Sequence, residues 1–174
     1  MSQAPVHLVL TVIGDDRPGL VGELSAVISA HQGNWLESSM AQLAGKFAGI
    51  VKVAVPAAQA EALKAALGKL AALKVTAESS AEKSVPAGRR LKLALVGHDR
   101  IGIVREVSQV LAKHSVNVEK LETHTASAPM SAETLFHCEA DLAAAADIDT
   151  RALKAELEKL SDDLMVDISL GETL

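Results

Sequence analysis

The chain has 174 residues, enough for one large domain or two small ones, and 49% are hydrophobic; with no Tyr, one Trp (Trp35) and two Phe (Phe47, Phe136), its core has to be aliphatic. A formal net charge of −5 without any run of basic residues argues against direct nucleic-acid binding, which calls for a cationic face to neutralise phosphates. A single cysteine, Cys138, excludes an internal disulfide, and neither a leader pattern nor an apolar stretch near 18 residues occurs, so a cytoplasmic protein with no membrane span is expected.

His7 to Ile13 (HLVLTVI) is a short β-branched run that predicts a strand ending at Gly14. From Gly19 the period becomes helical: Leu20, Val21, Leu24, Val27 and Ile28 form one apolar stripe, with a stop expected near His31 to Gly33. A strand from Asn34 to about Leu43, a turn at Ala44-Gly45-Lys46 and a strand from Phe47 to Val55, closed by Pro56, come next. Ala57 to Leu73 predicts a second helix with Leu63, Leu67 and Leu70 on one face, and KVTAES after it returns as a strand.

The second half repeats the plan. Leu91 to Val96 is a strand, and Ile103, Val104, Val107, Val110 and Leu111 copy the helical stripe 83 positions on. Asn117 to Thr125 and Thr134 to Leu142 read as a hairpin, Leu153, Leu157 and Leu160 mark a helix capped by Asp149 or Thr150, and Met165 to Leu170 closes. Polar Ser79 to Arg90 (SSAEKSVPAGRR) reads as a linker, giving modules over 5–79 and 90–172 with 80–89 between them. Each module has the order βαββαβ, the ferredoxin-like α+β plan: an antiparallel sheet covered on one face by two helices. The bare sheet faces and edge strands make a homo-oligomer the expectation.

One phrase occurs twice, as GDDRPGLVGEL (Gly14 to Leu24) and GHDRIGIVREV (Gly97 to Val107). Each copy offers a glycine after a strand, an acid–arginine pair and a glycine at a helix start. Free N–H groups at a helix N-terminus favour a carboxylate or other small anion, and the bare Gly19 and Gly102 let it approach. Asp16 or Asp99 can meet an ammonium, and Arg17 or Arg100 a carboxylate. The same residues admit a purely structural reading, in which glycine relieves the turn, Asp caps the helix and Arg makes a surface ion pair.

A strand, a D-R-P-G-L-V turn, a helix and an Asn opening the next strand (Asn34, Asn117) resemble the ACT domain, a family of small regulatory modules that bind amino acids. Two tandem copies without a catalytic segment resemble the glycine cleavage system transcriptional repressor family, described as acting through a partner transcription activator. Ile101 stands in the second copy where the first has Pro18, and Val116 where it has Gly33. The resemblance implies a ligand at an interface of modules, held by Asp15, Asp16, Arg17, Pro18, Gly19 and Leu20 with Asn34, and by Asp99, Arg100, Ile101, Gly102 and Ile103 with Asn117. His98, in place of Asp15, is a further candidate contact. A small amino acid, glycine first, is the implied ligand, and a transcription regulator or a metabolic enzyme the implied partner; a scaffold with a vestigial pocket is the third reading.

No G-x-S-x-G, P-loop or H-E-x-x-H motif is present, so neither catalysis nor a cofactor is expected. His31 and His114 fall near helix ends, a structural place for imidazole. His124 and His137 lie on adjacent strands and make a weak zinc signal. Cys138 reads as a small buried residue and Trp35 as a core or interface plug.

Overall fold

The computed structural model describes residues 4–81 and 87–171, and the chain divides into two compact units, one in each half. In the first, β1 (Pro5–Asp15), α1 (Leu20–Ala30), β2 (Asn34–Leu43), β3 (Lys46–Pro56), α2 (Ala60–Leu67) and β4 (Lys74–Ser80) build an antiparallel sheet of order β2-β3-β1-β4. In the second, β5 (Arg89–His98), α3 (Ile103–Lys113), β6 (Asn117–Ser127), β7 (Thr134–Ala144), α4 (Thr150–Glu158) and β8 (Met165–Leu170) repeat it as β6-β7-β5-β8. Both are ferredoxin-like βαββαβ modules. Of the expected linker, positions 82–86 lie outside the described residues.

Strand alternation decides which residues are buried. Leu8, Leu10 and Val12 of β1 and Val51, Val53 and Val55 of β3 point to one face, where Leu24, Ile28, Leu63 and Leu67 of the helices meet them. Leu91, Leu93, Leu95, Cys138 and Leu142 do the same in the second module, against Val107, Leu111, Leu153 and Leu157. No polar residue is buried among the described residues.

The structure differs from the sequence expectations at several points. β1 runs through Gly14, which pairs with Phe47; a Cβ there would lie 2.4 Å from the Ala72 carbonyl oxygen, so this glycine lets the α2–β4 loop cross the strand and does not end it. Val21 and Val104 are exposed, because each sits about 100° around the helix from the inward-facing Leu20 or Ile103. The helix expected over 57–73 is shorter: a 3-10 turn (Ala57–Gln59) precedes α2, and Gly68 caps its C-terminal end. Leu73 reaches the core from the loop beyond.

Both first helices end alike. The Gly33 amide donates to the Ile28 carbonyl and the Gln32 amide to Ser29, with Gln32 at φ 58; Val116, Ser115, Leu111 and Ala112 reproduce this Schellman closure. A Cβ on Gly33 would lie 2.7 Å from Ile28 Cγ2, whereas Val116 is accommodated and buried in the second core. At α4, Asp149 is the N-cap, accepting from the Arg151 and Ala152 amides.

Candidate functional site

Each repeated phrase forms the turn between a module's first strand and first helix. Gly19 and Gly102 are the N-cap residues, at φ 94 and φ 91, a left-handed conformation that side chains with a Cβ adopt only under strain. The first bonds inside the helices run from the Glu23 amide to Gly19 and from the Glu106 amide to Gly102, and no side chain caps either end. Asp16 and Asp99 therefore do not cap these helices as the structural reading expected. Their backbone amides instead join the turn to the hairpin, donating to Gly45 and Thr134 at 2.9 Å each.

The arginines do make ion pairs. Arg17 donates to Glu23 at 2.6 Å and to the Pro18 carbonyl at 3.2 Å; Arg100 pairs with Glu106 and also donates to the Leu160 carbonyl at 3.3 Å. Proximity to Arg100 holds the Glu106 carboxyl below its ordinary range. The sequence reading did not single out Glu23 and Glu106, although both sit six residues after their arginine.

In the first module the turn borders an open hollow of about 170 Å³, lined by Asp16, Arg17, Gly19, Leu20, Val21, Gly22 and Phe47. It brings together a carboxylate, a guanidinium and the unpaired N–H groups of a helix start, over the apolar surface of Leu20 and Phe47. Pro18 is exposed beside it, and Asp15 turns to the hairpin, where it pairs with Lys46. Lys46, by hydrogen bond and charge, lowers the Asp15 pKa.

In the second module His98, at the position of Asp15, is engaged with Asp163 and Glu133. Asp99 is exposed, Ile101 is fully exposed where the first module has Pro18, and Ile103 is buried like Leu20.

Asn34 and Asn117 are not brought to these turns within their own modules. Asn34 pairs with Ala54, itself opposite His7, whereas Asp15 pairs with Lys46 at the far end of β1. Along the strand this is a separation of about 26 Å at roughly 3.3 Å per residue. Asn117, opposite Ala143 and so level with Arg90, is likewise remote from Asp99.

Elsewhere, His31 and His114 are the C-cap residues of α1 and α3. The His31 ring lies 2.9 Å from the Val27 carbonyl and the His114 ring 2.8 Å from Glu156 of α4. His124 and His137 face each other in register, stacked at 4.6 Å, but no group of three or more metal-ligating side chains converges among the described residues. Cys138 is buried, and desolvation raises its thiol pKa. Trp35 packs against the first core from β2. None of the described helices is long and apolar enough to cross a membrane.

Two ferredoxin-like modules, each with a glycine-capped acid–arginine turn at the start of its first helix, define a small α+β protein built on a duplicated module. Residues 6–78 match the ACT domain family, and the second half repeats that module's strand order and turn. Among solved structures, it is similar to an unknown protein from Galdieria sulphuraria, with 29% identity, a TM-score of 0.82, and coverage of 97% of this chain and 99% of that one. It shares its fold with a candidate glycine cleavage system transcriptional repressor, at 18% identity and a TM-score of 0.68, covering 98% of this chain and 100% of that one. No curated protein matches significantly.

Proposed function

We propose that this protein is a non-catalytic, cytoplasmic amino-acid sensor that binds a small amino acid at the β1–α1 turn of its first module and transmits binding to a partner protein. The observation that carries this reading is the hollow beside Gly19. A carboxylate there meets the unpaired amides of α1 and the Arg17 guanidinium, an ammonium meets Asp16, and Leu20 and Phe47 leave apolar room for a short side chain. Glycine is the first ligand to test. The ACT-domain match and the fold shared with a candidate glycine cleavage repressor support a transcription regulator as partner. The exposed edge strands β2 and β6 support a homo-oligomer, and a ligand shifts such an assembly only by its difference in affinity between two arrangements.

Calorimetric titration with glycine, serine, alanine and threonine, on the native chain and on Asp16→Asn and Arg17→Ala, tests the site. Saturable binding that both variants weaken supports it; no heat and unchanged melting temperatures with every amino acid would sink it. Co-purification separates the partners: a transcription factor supports repression, while a metabolic enzyme makes the chain that enzyme's regulatory subunit.

A further inference from the structure

We propose that the β5–α3 turn of the second module is held by a protonation-dependent clasp centred on His98, a device the first module lacks. His98 ends β5 and lies between two loops. Its Nδ1 is 2.7 Å from Asp163 in the α4–β8 loop, its Nε2 is 2.8 Å from Glu133 in the β6–β7 loop, and its backbone N–H donates to Asp163 at 2.6 Å. A neutral imidazole carries one N–H and can donate to only one of these carboxylates; the imidazolium carries two and donates to both. Only the charged ring closes the clasp.

The surrounding groups favour that charge. From the α4–β8 loop, Asp163 is held by the Ser161 hydroxyl; from the β6–β7 loop, Glu133 accepts from the Ser131 hydroxyl at 3.3 Å. Asp99 and Arg100 follow His98 in its own turn, and Glu106 of α3 engages Arg100. The imidazolium thus faces two carboxylates, with the nearby Arg100 already paired. Glu133 first, then Asp163, raises the His98 pKa, and the Ser161 hydroxyl with the His98 amide lowers that of Asp163 to about 2.

In the first module the equivalent positions carry different chemistry. Asp15 replaces His98 and pairs with Lys46 of the hairpin, and Ala72 lies against Gly14 where Asp163 lies near Gly97. A carboxylate–ammonium pair has no member that ordinarily titrates near neutrality, whereas histidine does. With its folded-state pKa raised, His98 stabilises the clasped form fully below its ordinary value of about 6.5, and this stabilisation is lost as pH rises through the raised value. If the turns are where an amino acid acts, as the proposed function holds, the second module's response depends on pH and the first module's does not.

The test is a pH titration by NMR of the full chain without any amino acid, following the His98 ring and the His98 and Asp16 amides. The expected midpoint lies above about 6.5, falls in both Glu133→Gln and Asp163→Asn, and marks the pH at which exchange of the His98 amide accelerates beyond the base-catalysed rise that the Asp16 amide follows. A midpoint at or below about 6.5, a midpoint unmoved in either variant, or equal pH slopes for the two amides would overturn the clasp. With no ligand in the tube, this outcome and that of the calorimetric titration are independent.

Discussion

Arg17 and Glu23 form an ion pair at 2.6 Å across the first turn of α1, with side chains 46% and 40% exposed. The guanidinium beside the hollow is therefore already occupied, and a ligand carboxylate has to compete with Glu23 for it. Glu23→Gln removes the competitor: glycine is expected to bind a few-fold more tightly, because an exposed pair contributes less than about 1 kcal/mol. Stability should change by no more than that. Isothermal calorimetry and a urea melt check both numbers, and an affinity unchanged in Glu23→Gln and Arg17→Ala alike removes Arg17 from the site.

The glycines of the first turn should respond with opposite signs. Gly22 lies on the exposed side of α1 with nothing within 4 Å of an added Cβ, so Gly22→Ala is expected to stabilise by about 0.5–1 kcal/mol through lower backbone entropy in the unfolded chain. Gly19 is hardly more crowded, with only Arg17 Nη1 at 3.9 Å from an added Cβ, but has φ 94, so Gly19→Ala should cost about 1–2 kcal/mol in strain alone. Urea unfolding of both variants separates conformation from crowding. A stabilised Gly19→Ala would mean that the turn does not keep its left-handed N-cap in solution.

Asp149 accepts two amide hydrogen bonds at 3.0 Å each at the start of α4. Asp149→Ala should destabilise the second module by about 1 kcal/mol, and Asp149→Asn, which keeps an acceptor oxygen, by less. Chemical denaturation read by circular dichroism distinguishes them, and equal losses would show that charge against the helix dipole matters more than the bonds.

Cys138 is 5% exposed and its thiol pKa is raised by burial. A thiol reagent at pH 8 should label it slowly in native protein and completely in urea, since the thiolate is the reactive form. The urea dependence of labelling then reports unfolding of the second module by itself. Rapid labelling without urea would show that β7 opens readily.

Periodicity made the modules legible. Alternation in HLVLTVI and the i, i+4 spacing of Leu20, Leu24 and Ile28 are local signals, and both persist in the structure because one face of each element is buried. Val21 looks like part of the stripe because only helix phase tells an apolar neighbour from a member, and Leu70 packs on the core as expected but from beyond the end of α2, since Gly68 closes the helix first. The candidate site was half legible. Asp16, Arg17 and Gly19 are adjacent in sequence and in space, but Asn34 only follows the helix end, and α1, running back along the sheet, has by then carried the chain to the opposite end, level with the start of β1. Glu23 carried a usable signal, its recurrence as Glu106 at the same offset. Asp163, 65 positions from His98, carried none, because its role arises only once the α4–β8 loop crosses β5 at Gly97.

The exchange of side chains between equivalent strand positions also bears on how a duplicated chain avoids misassembly. Lys92 occupies in β5 the place that Val9 holds in β1; natively it faces Asp141, with the charges 3.2 Å apart, while Val9 faces Lys52. Were β5 to insert into the first module in place of β1, the same alignment would set Lys92 directly opposite Lys52, and like charges in that relation oppose pairing. Two halves that share a backbone plan thus differ at this pair in a way that opposes strand exchange, a hazard of tandem modules emerging on one chain.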